Sequence, residues 1–207
     1  MTARKICLIC NRQTQSFTYI CDSCLELFSP KAERVTRSFT YVDEAYSCFY
    51  YGSLLKETIR LFKFAQKRYL AYLFGEILID KIFSLGLNKK VDLLLPVPIH
   101  KNTLAKRGYN QVELIADQIC KDTKIKLQTN NLIKIKMTQE QARLDMFARQ
   151  TNLIDSFQVF QPEKIKDKNI LLLDDMITTG STIEECAKVL KAAGAARVYA
   201  LSLATSH

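Results

Sequence analysis

The stretch Leu171–Thr182, LLLDDMITTGST, sets three leucines directly against Asp174 and Asp175 and ends in five small residues. With Ile170 the leucines form an unbroken apolar run. Such a run suits a strand covered on both faces, as a parallel sheet requires. A strand over Ile170–Leu173 would deliver the two acids to the carboxyl edge of the sheet, where open α/β folds hold ligands. The loop Thr178, Thr179, Gly180, Ser181, Thr182 then leads into a helix start. Its backbone N–H groups, its hydroxyls and the helix dipole together make a cradle for an anion. Gly180 lets the backbone come close to it. The aspartates repel that anion, so they must face hydroxyl donors or a cation. A phosphorylated sugar meets both demands: phosphate in the loop, ring hydroxyls on the carboxylates. The plainer alternative is a strand end followed by a capped helix. It accounts for Thr182 and Glu185 at capping-box spacing and for Gly194 as the residue after the helix. It leaves the paired acids and the Thr-Thr-Gly unexplained. Neither G-x-x-x-x-G-K-[ST] nor G-x-G-x-x-G occurs.

Outward from this stretch the pattern alternates helix and strand. Residues 53–86 read as helical, in one or two pieces. VDLLLPVP (91–98) reads as a buried strand ended by proline. The segment beginning NTLAKRGYNQ becomes helical after Gly108. LIKIKM (132–137) and SFQVF (156–160) read as strands, ARLDMFARQTNL (142–153) as helix, and RVYALSLAT (197–205) as a last strand. Phe39–Val42 and Ala45–Tyr50 are expected as earlier strands. The fold class is α/β with a mainly parallel sheet. A boundary near residue 40 divides the 207 residues into a small module, 1–40, and a main domain, 41–207.

The small module carries CLIC and CDSC. Cys7, Cys10, Cys21 and Cys24 form two C-x-x-C pairs separated by ten residues. Each pair turns two sulfurs toward one point, and together they suit a closed tetrahedral Zn²⁺ site. Disulfides and a redox-active pair are the alternatives. The spacer NRQTQSFTYI can run out and back as a short hairpin, with Phe17 and Tyr19 on one side. A segment this short buries too little surface to fold unaided, and zinc can supply about 10–16 kcal/mol. The scattered Cys48, Cys120 and Cys186 read as small buried hydrophobes.

Lysine and arginine exceed acids by 30 to 21, a net charge of +9, which favours polyanionic partners. No apolar run is long enough for a secretory signal or a membrane span. A cytoplasmic protein with reduced thiols is expected. Lys56, Arg60, Lys63 and Lys67 recur at helical spacing beside aromatic residues. Such a stripe can follow single-stranded DNA, with phosphates on the charges and bases on the rings. A merely solvated helix face is the alternative.

The stretch from Ile170 to Ala195 resembles the signature of type I phosphoribosyltransferases, which bind phosphoribosyl pyrophosphate (PRPP). PVPIHKNTLAKRGYNQVELIA, together with the two C-x-x-C pairs and the R-x-x-N element of Arg149 and Asn152, resembles the ComF family, linked to natural DNA uptake in bacteria. The resemblance spans nearly the whole chain. It implies that Asp174 and Asp175 hold the ribose hydroxyls and stabilise positive charge on the ring as pyrophosphate leaves C1. It implies that residues 178–182 hold the 5-phosphate, and that Mg²⁺ bridges pyrophosphate and ribose. Pyrophosphate needs cations, and the loop after the 91–97 strand offers Lys101, Lys106 and Arg107. His100 there is a candidate general acid or a structural group. Lys134 and Lys136 stand where the family has arginines, which keeps the charge but loses the bidentate fork. Thr178 stands where some members carry a further acid, so no general base is named. The functional expectation is a competence protein that binds PRPP with Mg²⁺ and single-stranded DNA, with other DNA-uptake proteins as further candidate partners. The alternative is a salvage phosphoribosyltransferase with a nucleobase-like acceptor and no DNA role. A sensor that binds PRPP without chemistry is a third reading.

Overall fold

The apolar run at 170–173 lies inside a longer strand at the centre of the sheet. The computed structural model describes residues 5–14, 19–28, 31–32, 34–137 and 153–206. In chain order the elements are β1 (Lys5–Ile6), β2 (Gln13–Thr14), α1 (Asp22–Glu26), β3 (Glu44–Tyr50), α2 (Ser53–Phe64), α3 (Leu70–Ser84), β4 (Leu93–Pro96), α4 (Lys101–Arg107) and α5 (Gln111–Thr123). There follow β5 (Lys126–Leu127), β6 (Leu132–Lys134), β7 (Phe157–Val159), β8 (Asn169–Ile177), α6 (Ser181–Ala192) and β9 (Arg197–Thr205).

Five strands pair in parallel in the order β3-β9-β8-β4-β5. Ile170, Leu171, Leu172 and Leu173 are fully buried. Because successive side chains of a strand alternate in direction, Leu171 and Leu173 enter one core with α2, α3 and α5. Ile170 and Leu172 enter the other with α6. The α/β class and the parallel sheet expected from the sequence are what the chain forms. Among the described residues, no helix is long and apolar enough to cross a membrane.

Several local expectations are corrected. Phe39–Val42 is not a strand: the Glu184 carboxylate takes the Thr40 and Tyr41 N–H groups at 2.6 and 3.1 Å, so this backbone is committed to α6. An extra helix, α4, precedes Gly108, whose φ of +81° ends it. The helical reading of 53–86 holds, in the two-piece form, as α2 and α3. The strand at 170–173 runs on to Ile177, so both aspartates lie within β8. Helix α6 starts at Ser181 with Gly180 as N-cap, which leaves Thr182 inside the first turn rather than capping it. Glu185 instead accepts from the Asp155 N–H. The other end of α6 agrees with expectation. Gly194 has φ +91°, and the Ala195 and Gly194 N–H groups reach back to Leu190 and Lys191 carbonyls, the pattern of a Schellman motif. β6 and β7 form a separate antiparallel ribbon.

The amino-terminal segment sits on the α2–α3 side of the sheet. Cys7, Ile20, Cys24 and Phe28 join that core, and Phe28 meets Phe49 edge-on at 5.6 Å. Tyr19 N–H donates to Glu76 of α3 at 2.7 Å. Its antiparallel pairing joins Lys5 to Thr14 and Ile6 to Gln13, so it straddles the first cysteine pair rather than filling the spacer. Phe17 of the expected hairpin, the R-x-x-N residues Arg149 and Asn152, and nearly all of the helix expected at 142–153 lie outside the described residues.

Candidate functional site

Adjacent residues of a strand face opposite sides of its sheet, and this separates the two acids. Asp175 points to the α2–α5 side and is 4% exposed. Lys63 Nζ lies 2.8 Å from each of its carboxylate oxygens, and Gln111 Nε2 donates to Oδ2 at 2.7 Å. Gln111 Oε1 in turn accepts from Arg107, whose guanidinium lies 5.3 Å from the centre of the Phe64 ring. A chain of contacts thus runs from Asp175 through Gln111 to the end of α4, with Lys63 of α2 as the counter-ion.

Asp174 faces the α6 side. Its Oδ1 accepts the Asp175 N–H at 2.8 Å, and Oδ2 has no hydrogen-bond partner among the described residues. The residue keeps some open surface, but its carboxylate sits deep in the edge of the sheet. Burial, and next the charge of Asp175, push its pKa up to about 7; Lys63 and Lys134 pull against that rise.

The loop after β8 is tied down from below. Thr205 Oγ1 donates to the Ile177 carbonyl at 3.0 Å, and Ser206 Oγ donates to the Thr178 carbonyl at 3.2 Å. Thr179 and Ser181 hydroxyls bond each other at 2.9 Å. Gly180 adopts φ +82°, and a Cβ there would stand 2.6 Å from the Phe39 ring. The N–H groups of Thr179 and Gly180 have no partner among the described residues. Two free N–H groups at the start of a twelve-residue helix are a place where an anion can bind. Arg37 adds a cation nearby: its Nη2 donates to Ser206 O and Oγ at 3.2 and 3.0 Å.

The structure therefore brings together Asp174, the 178–182 loop and, through Asp175, Arg107 and Lys63. Lys101 stands elsewhere, on a cleft beyond β4 that His100 also lines. Lys63 belongs to this network rather than to a free surface. Lys56 and Arg60 are exposed on α2, with Arg60 ion-paired to Glu57. Lys67 lies past the helix end at Phe64, so the four cations do not share one helix face. Arg37, Phe39 and Gln111 were missed by sequence reasoning. Gln111 stood inside a motif already singled out, whereas Arg37 lies in what reads as linker and Phe39 at the start of a strand that does not form.

The second cluster is Cys7, Cys10, Cys21 and Cys24, whose sulfurs all lie within 4.8 Å of one another. Cys10 and Cys21 sulfurs are 3.7 Å apart. That is far beyond a disulfide bond and matches the ~3.8 Å edge of a tetrahedron with metal–sulfur bonds of about 2.3 Å. The four cysteines are unbonded to one another and fit a metal ion. Arg12 Nε donates to Cys10 Sγ at 3.4 Å; its side chain is the first of the causes that hold the Cys10 thiol down to about 6.

Comparison with known proteins decides the family. The phosphoribosyl transferase domain matches residues 103–207, which include α5, β8, the 178–182 loop and β9. The chain belongs to the phosphoribosyl transferase domain family. Its five-stranded parallel sheet with flanking helices is the type I form of that fold. It is also 26% identical to competence protein F of Haemophilus influenzae, with 96% of this chain and 90% of that protein covered. Competence protein ComFC of Bacillus subtilis is 27% identical, with 97% and 78% covered. DNA utilization protein YhgH of Escherichia coli K12 is 25% identical, with 93% and 87% covered. The ComF resemblance of the motifs thus extends over most of the chain.

The raised pKa of Asp174 has a consequence for stability. The folded chain holds that proton up to about pH 7, whereas an unfolded aspartate releases it near pH 4. Stability therefore falls as pH rises from about 4 to about 7. Asp174→Asn removes the charged form, so its melting temperature relative to wild type is expected to climb across that window. Melting curves at pH 4.5 and pH 8 check this; an offset that does not change with pH contradicts it.

Proposed function

We propose that this chain is a ComF-type protein of DNA uptake that binds PRPP with Mg²⁺ and handles single-stranded DNA. One observation carries the sugar-phosphate part: an aspartate stands four residues before a loop at a helix start, and one of its carboxylate oxygens and two of the loop's N–H groups have no partner among the described residues. In this reading the 178–182 loop takes the 5-phosphate. Asp174 accepts from a ribose hydroxyl and opposes positive charge building on the ring. Asp175 acts together with it, by keeping Lys63 and Arg107 in place as cations facing the pyrophosphate end. Asp174 would be the carboxylate available to Mg²⁺ bound with the ligand, a hard cation that would offset pyrophosphate charge.

Zn²⁺ is the ion we assign to the four cysteines, since four thiolates leave it no open position and make the site structural. The competence role rests on the family and on the names of the relatives. The DNA role rests on the exposed cations Lys56, Arg60 and Lys67 and on three exposed rings close by in the chain. Phe64, Tyr69 and Tyr72 are 61, 43 and 51% exposed, the kind of stacking surface that unpaired bases use.

Three measurements test this reading. Calorimetric titration with PRPP and Mg²⁺ is expected to show an affinity that drops about tenfold or more in Asp174→Asn, because a charge-assisted hydrogen bond is lost. Equal binding by wild type and the Asp174→Asn/Asp175→Asn double variant would sink the site assignment. Metal analysis is expected to find one zinc per chain, with Cys21→Ser losing it and melting at lower temperature; a zinc-free, fully folded protein contradicts this. Binding of a short single strand is expected to weaken steeply with added salt. An affinity that survives replacement of Lys56, Arg60 and Lys67 by alanine takes this surface out of the account.

A further inference from the structure

Residues 37–41, shortly before β3, lie along the 178–182 loop. The Phe39 ring packs against Gly180, where a Cβ would stand 2.6 Å from it. The Thr40 and Tyr41 N–H groups donate to Glu184, in the first turn of α6, at 2.6 and 3.1 Å. Arg37 is half-buried, and its Nη2 reaches Ser206, the residue after β9, at both the carbonyl and Oγ. This segment therefore touches the loop, the helix that follows it and the residue that supports it.

The Arg37 contact allows only one order of donors and acceptors. A guanidinium can only donate, so Ser206 Oγ accepts from Arg37 at 3.0 Å. A carbonyl can only accept, so the Ser206 hydroxyl gives its own proton to the Thr178 carbonyl at 3.2 Å. That carbonyl shares a peptide unit with the Thr179 N–H. In a planar trans peptide the two point in opposite directions. The Thr179 N–H thus points away from Ser206, and no described residue accepts from it. The preceding peptide is held from the same side, since Thr205 Oγ1 and the Ser206 N–H both donate to the Ile177 carbonyl, at 3.0 and 3.3 Å.

A relay of hydrogen bonds therefore runs from a cation to an open donor. Its dipoles all point the same way, and each bond polarises the next. A charged group at one end strengthens the bonds further. Turned end for end, the Thr178–Thr179 peptide would present its carbonyl to an anion and repel it. We propose that Arg37 is a positioning residue for the phosphate loop. Acting through Ser206 and the Thr178 carbonyl, it holds the Thr179 N–H outward and makes it a stronger donor to a phosphate oxygen. This rests on the reading that the loop takes the 5-phosphate, and it assigns part of that binding to a residue that does not touch the ligand.

The test is calorimetry with two probes, ribose 5-phosphate and Mg²⁺–pyrophosphate, on wild type, Arg37→Met, Ser206→Ala and the double variant. Melting curves confirm that each is folded. Each single variant is expected to bind ribose 5-phosphate about fivefold more weakly, with pyrophosphate binding unchanged because it lacks the 5-phosphate. The double variant should be no weaker than Arg37→Met alone, since both substitutions break one relay. Ser206→Thr keeps the hydroxyl and is expected to restore binding. In NMR spectra, ribose 5-phosphate should move the Thr179 amide proton downfield less in Arg37→Met than in wild type. Losses that multiply in the double variant mean that Arg37 acts on the ligand directly, and they overturn the relay. Equal binding of ribose 5-phosphate by wild type and Arg37→Met overturns it too, while PRPP binding by wild type leaves the sugar-phosphate reading standing. A wild type that binds neither PRPP nor ribose 5-phosphate removes both.

Discussion

A carboxylate buried as deeply as Asp175 has to be neutralised, and the way this chain neutralises it arranges the rest of the site. Lys63 comes from α2 and Gln111 from the first turn of α5. The carboxylate therefore ties two helices to the end of the central strand. An ion pair of this kind adds little net stability, because desolvating both charges offsets their attraction. Its value is positional. Removing one member leaves the other charged and unpaired, so the arrangement resists change. Gln111 uses its amide for Asp175 and its carbonyl for Arg107, which hands the position of a strand residue on to the last residue of α4.

The same pairing conditions Asp174. Two carboxylates side by side in a sheet edge cannot both ionise freely. Lys63 partly cancels the charge of Asp175, so Asp174 is raised to about 7 rather than driven further. The outcome is one committed acid and one poised acid, on opposite faces of β8. The motif reads as a pair in the sequence, but in the fold the residues differ in partners and in burial.

Much of this was legible in the sequence. Four consecutive buried aliphatics announce a parallel central strand, and two C-x-x-C pairs announce a tetrahedral cluster, because in both cases the physics is local. The small residues after the acids do form a loop, and Gly180 is required in it by its φ and by the Phe39 ring packed against it. What the sequence hid depends on contacts between distant residues. Nothing in the pattern around Lys63 separates it from Lys56 or Arg60; only the fold, with 112 residues between the partners, turns it onto Asp175. Arg37 and Phe39 hid for the same reason, since their environment is made by residues 178–206. Helix α4 was missed because its seven residues are too few to show a period against their polar background. The Thr182–Glu185 spacing misled because Gly180 already occupies the cap.

The amino-terminal cysteine cluster bears on the site through packing. A segment this small has no core of its own, so it borrows one: Cys7, Cys24, Ile20 and Phe28 bury themselves among side chains of α2, α3 and β3. Helix α2 thus has the cysteine-rich segment sharing its core and the Asp175 carboxylate held at its carboxyl-terminal end. If a metal organises the cysteines, its binding energy is also folding energy for that shared core. Lys63 can reach Asp175 only while α2 is seated. The cysteine cluster and the Asp175 network are thus linked through one helix, α2, which contributes side chains to the core of the first and a cation to the second.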